Sequence, residues 1–82
     1  MQSLQYAIDT ICASFTEAGL YGLIRARLEQ GPFTLDELVL LVQSKDRSLD
    51  PGSAGMLAET ALENLEERGE ARKKGTRFFA AG

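Results

Sequence analysis

Gly69 separates two segments with different structural demands, and the contrast across it limits the fold more than any other feature of the chain. Before it, Ala54, Leu57, Ala58, Ala61, Leu62 and Leu65 gather on one face when successive residues turn by about 100°. Met56, Glu59, Thr60, Glu63, Glu66 and Glu67 take the opposite face. This pattern predicts an amphipathic helix running to about Arg68, with Gly69 as its C-terminal cap. Either Asp50 or Ser53 can start it. Asp50 as N-cap would place Pro51 at the first helical position, where no N–H is needed. Beyond Gly69, "EARKKGTRFFA" predicts two short strands around Lys73, Lys74 and Gly75. Phe78 and Phe79 are adjacent in the second strand and must point to opposite faces, so one seals a core and the other needs different cover.

Upstream, "PFTLDELVLLVQ" carries a capping box, Thr34 with Glu37, and places Phe33 and Leu38 in staple positions. A helix from about Leu35 to Gln43 follows. Gly31 and Pro32 end the preceding helix and impose a short extended entry. Ser44 to Ser53, "SKDRSLDPGS", is a polar loop marked by proline and glycine. In the first thirty residues, Leu4, Ile8, Ile11 and Phe15 keep helical spacing, as do Leu20, Leu23, Ile24 and Leu28. The two stripes point in different directions, which predicts a break near "SFTEAG", with Ser14 and Glu17 as a further capping box. The expected order is helix, helix, short strand, helix, helix, two-stranded hairpin: mostly α with a small β-hairpin, an α+β class. A chain of 82 residues makes one domain with one small core, here an N-terminal helix over residues 1–16 and a core unit over 18–82.

From about Leu20 onward the chain resembles the winged helix-turn-helix superfamily, through "LIRARLEQGPFTLDELVLLV" and then "ALENLEERGEARKKGTRFF". The resemblance implies a winged helix preceded by an extra N-terminal helix, and a third helix that in DNA-binding relatives enters the major groove. Two features depart from that pattern. The loop of about ten residues before the third helix exceeds the usual three- or four-residue turn. The outward glutamates of the third helix oppose the phosphates that would position it on DNA.

The net charge of -3 and pI near 4.8 repel a polyanion unless positive charge is concentrated somewhere. It is concentrated after the third helix. Arg68, Arg72, Lys73, Lys74 and Arg77 supply five of the nine basic residues. This cluster can track the phosphates of duplex DNA, or it can form solvated ion pairs with the neighbouring glutamates. Catalysis has no visible basis. The absence of histidine excludes His-based triads and His-containing metal sites, and a single cysteine excludes a Cys-rich zinc site and an internal disulfide. In "GEARKKGT" the lysines precede Gly75, unlike those of a phosphate-binding P-loop. We therefore expect no enzyme activity, no cofactor and no metal. Cys12, among Ile8, Ile11 and Phe15, is expected to be a small buried hydrophobe. The longest apolar run, Leu38 to Val42, is far below the roughly 20 residues that span a bilayer, and Asp9 interrupts the apolar residues near the N-terminus. A cytoplasmic protein with no membrane partner is expected.

Two surfaces remain for recognition. In the second core helix Leu35, Leu38 and Val42 project together, with Val39 and Leu41 beside them, whereas Leu40 projects nearly opposite and needs a cover. Leu4, Ile8, Ile11 and Phe15 can supply it within the chain or across a two-fold homodimer. The row of Met56, Glu59, Thr60, Glu63, Glu66 and Glu67 suits a basic partner protein. The sequence thus points to a non-enzymatic winged-helix module for protein recognition or assembly. The alternative is a small DNA-binding transcriptional regulator that contacts phosphates through Arg68, Arg72, Lys73, Lys74 and Arg77.

Overall fold

The computed structural model describes residues 3–81. Its elements follow the order α1 (Leu4–Ile11), α2 (Glu17–Glu29), β1 (Phe33–Thr34), α3 (Leu35–Lys45), α4 (Pro51–Glu67), β2 (Ala71–Lys74) and β3 (Arg77–Ala80). The architecture is mostly helical, with a small antiparallel sheet in the order β1-β3-β2. The short extended entry at Phe33 is therefore an edge strand of the hairpin sheet, with Phe33 opposite Phe78 and Thr34 opposite Arg77.

Local chemistry sets the helix ends. The Thr34–Glu37 capping box is complete, and its two hydrogen bonds from Thr34 hold the Glu37 carboxyl below its ordinary value. Asp50 caps α4 by accepting from the Ser53 N–H, with Pro51 in the first turn. At the other end Gly69 takes φ 77, so its N–H reaches the Glu66 carbonyl and the Glu70 N–H reaches that of Leu65. This closes α4 in the left-handed conformation that glycine adopts without a Cβ penalty. Gly75, at φ 63, opens the two-residue turn between Lys74 and Arg77.

The expected break after α1 is present, but its chemistry differs. The N-cap of α2 is Thr16, whose side chain accepts from the Gly19 N–H at 2.9 Å, in place of a Ser14–Glu17 box. Ser14 is engaged elsewhere, since its N–H donates to Asp46 Oδ2 at 2.9 Å. Cys12 is exposed, not buried: it takes φ 61 at the end of α1, where the chain turns away from the core.

The core lies where α1, α2 and α3 converge on α4. Leu57, Ala58, Ala61, Leu62 and Leu65 of α4 are buried against Leu4 and Ile8, Leu20, Ile24 and Leu28, and Leu38 and Val42. Phe33 and Phe78 close the sheet side with ring centroids 6.0 Å apart. The Tyr21 hydroxyl accepts a hydrogen bond from Asn64 Nδ2 at 2.8 Å, which satisfies a polar pair buried between α2 and α4.

Asp46 joins two loops. It accepts from the Ser14 N–H, from the Ser48 N–H at 3.1 Å and from the Ser48 hydroxyl, tying the α1–α2 connection to the segment after α3. The Ser48 side chain, then Ser14, hold its carboxyl below the ordinary aspartate value of 3.8. A depressed folded-state value stabilises the fold above the unfolded value and is lost as pH falls through the folded one. Asp46→Asn is accordingly expected to melt below the wild type at neutral pH. The gap should narrow as the medium becomes more acidic than the ordinary aspartate value; a gap independent of pH in parallel thermal melts would remove this role.

Candidate interaction surfaces

Helix α4 presents its acidic row to solvent. Glu59, Glu63 and Glu67 are exposed, Met56 is half-exposed and Glu66 is partly covered. Thr60 departs from the expected face and is buried. The reason is tertiary. Helices α1 and α2 both pack on α4, so its covered surface extends past the apolar stripe to the flank that holds Thr60 and Asn64.

The packing of α1 beside α4 leaves an open groove of about 850 Å³. Tyr6 and Ala7 form part of one wall, Gly55 and Met56 part of the other, and Glu59 and Glu63 also line it. Tyr6 is 73% exposed and Met56 52%. Sequence spacing did not single out Tyr6, which lies off the Leu4–Ile8 stripe. An aromatic on the outer side of an amphipathic helix was its only signal.

At the other end of α4, the sheet sorts the basic cluster by strand alternation. Arg72 faces Phe79 and Lys74 faces Arg77 across β2 and β3, so these four side chains share the sheet's outer side. Lys73 pairs with Phe78 on the inner side, its ammonium 5.5 Å from the ring centroid. Arg68 lies 4.7 Å from the Tyr21 ring centroid, and Arg25 stacks on the same ring at 5.6 Å. Lys73 and Arg68 thus engage the chain's own aromatic rings. Strand alternation divides the five predicted cations: Arg72, Lys74 and Arg77 share the exposed outer side of the sheet, with the half-buried Phe79 directly across from Arg72.

Of the two alternatives for the basic cluster, ion pairing with the α4 glutamates is not seen among the described residues. Among the described residues the salt bridges are Arg25–Glu70, at 2.7 and 3.0 Å, and Arg27–Glu37 at 3.5 Å. Both tie α2 to its neighbours. Among the described residues no ion pair joins the acidic row to the hairpin, although Glu66 borders the same shallow surface as Arg72 and Lys74.

The predicted seam at Leu40 is also not closed within the chain. Leu4, Ile8 and the half-buried Ile11 belong to α1, which packs on α4, and Phe15 lies half-buried against the core from the α1–α2 connection, while Leu40 is 67% exposed beside α2. It lines a shallow groove with Leu23, Ala26 and Leu41. Among the described residues, no group of histidine, cysteine and carboxylate side chains is placed to hold a metal ion, and no helix is long and apolar enough to cross a membrane. Comparison with protein-family models, curated proteins and solved structures finds no match.

Proposed function

We propose that this chain is a non-enzymatic winged-helix module for protein recognition, in which the α1–α4 groove receives a basic segment of a partner. The observation that carries this reading is the convergence of Tyr6 and Met56, two exposed large hydrophobics on different helices, beside Glu59 and Glu63, which form no ion pair among the described residues. An apolar floor with charge at its edge is the usual composition of a recognition surface: burial supplies affinity and the carboxylates select a basic partner. The acidic face of α4, the third helix of the winged-helix core, also opposes docking of that helix into DNA.

Replacing Met56 by a benzophenone amino acid tests the reading. In cells of the source organism it should yield an adduct joined through a basic segment of another protein or of a second copy of this chain, and the adduct should disappear when Glu59→Lys and Glu63→Lys are added. The same label at exposed Arg47 should give no such adduct. Capture that survives the charge reversal would overturn the assignment of the groove.

A second reading rests on Arg72, Lys74 and Arg77, which share the outer sheet face without carboxylate partners among the described residues. In this reading the hairpin is the wing of a DNA-associated regulator and follows the phosphates of a duplex, with affinity falling steeply as salt rises.

A further inference from the structure

We infer that the hairpin tip of a second copy of this chain docks in the α1–α4 groove, so that copies associate head to tail; this rests on the groove being the recognition surface. Two exposed like-charged pairs of opposite sign support it. Lys74 and Arg77 stand directly opposite each other at the last rung before the Gly75–Thr76 turn. Directly opposed like charges destabilise a strand pair, and their Cβ atoms are about 5 Å apart. Glu59 and Glu63 lie one turn apart on α4, which also sets like charges about 5–6 Å apart at Cβ and is also unfavourable. None of the four forms an ion pair within the described residues.

The two pairs have matching spacing and opposite sign. Docking would replace two repulsions by two charge-assisted hydrogen-bond pairs. Shape agrees with this match. A two-residue turn is a slender end of the molecule, and the groove is open to solvent with a volume of about 850 Å³. Its Tyr6 and Met56 walls suit the aliphatic stems of Lys74 and Arg77, which can bury methylenes while their charged ends meet the glutamates. The donor and acceptor surfaces differ, so the contact is heterologous, and each bound copy presents a further groove or hairpin. Copies of net charge -3 repel at long range, so association depends on these local pairs and weakens with salt.

Sedimentation velocity of the full chain over a concentration series at low ionic strength tests this. Wild type should form species beyond the monomer, and added salt should disperse them. Glu59→Gln/Glu63→Gln and Lys74→Gln/Arg77→Gln should each remain monomeric with unchanged circular dichroism, because all four positions are exposed. Mixing the two variants should restore a 1:1 dimer that grows no further, since one retains an intact hairpin and the other an intact groove. A wild type that stays monomeric at low salt, or variants that associate like wild type, would overturn the inference. If wild type is monomeric while the label at Met56 still captures a basic polypeptide through Glu59 and Glu63, self-docking falls and the groove reading stands. Binding of labelled duplex DNA to monomeric wild type, lost in Lys74→Gln/Arg77→Gln, would assign the hairpin to DNA and likewise overturn self-docking.

Discussion

Phe33→Ala is expected to remove most of the stability of this domain. Phe33 is 1% exposed and is one of the two residues of β1, where it pairs with Phe78 of β3. It stacks on Phe78, and the Arg27 guanidinium lies 5.0 Å from its centroid. Truncating a buried phenylalanine costs about 3–5 kcal/mol through lost transfer energy and the cavity left behind. In a chain this short, total stability is of the order of 4–12 kcal/mol. At roughly 4–8 °C per kcal/mol, the melting temperature should fall by about 12–40 °C or the cooperative transition should vanish. Phe79→Ala is the control, since Phe79 is half-buried on the side of β3 opposite Phe78. Equal losses for the two variants in thermal melts would show that the stacked pair does not hold the sheet to the helices.

Ile8→Asp should be nearly as damaging, with a more local signature. Ile8 is 2% exposed on α1, and the substitution removes a large apolar side chain while placing a carboxylate among Leu4, Ala7 and the apolar face of α4. Burial of an unpaired charge costs several kcal/mol, so the helix is expected to leave its site before the carboxylate accepts it. An eight-residue helix has little stability of its own in water once detached. Amide exchange over Leu4–Ile11 should therefore become fast while protection in α3 and α4 is reduced but retained. Ile11→Asp should do less, because Ile11 is only half-buried at the end of the helix. Uniform loss of protection across the chain, or equal effects at positions 8 and 11, would show that α1 is no separable layer. The groove beside Tyr6 should disappear with α1, so Ile8→Asp also connects the stability of this helix to the proposed recognition surface.

Short-range chemistry made the elements legible in the sequence. Thr34 with Glu37, Asp50 before Pro51, and Gly69 after Arg68 each satisfy backbone groups within a few residues, so no distant partner is needed to place those helix ends. The six apolar positions of α4 are buried as their spacing requires, and Phe78 and Phe79 divide between the two sides of β3. Contacts made over long separations were not legible. Asp46 meets Ser14 across 32 positions and Asn64 meets Tyr21 across 43, and nothing local distinguishes either residue from an ordinary surface polar group. The same limit explains Thr60 and Cys12, whose burial depends on where α1 lies and where it ends.

By itself the sequence determined the helices, the turn at Gly75 and the opposite charges of α4 and the hairpin, because each is written in the spacing of neighbours along one element. Tertiary structure decided which side chains meet. It set α1 along α4, which joined Tyr6 to Met56 in a groove and left Leu40 uncovered. It paired β2 with β3 in the register that turns Arg72, Lys74 and Arg77 outward while Lys73 lies over Phe78. Helix packing angles and strand register depend on how whole surfaces fit together, and no local run of residues encodes that fit.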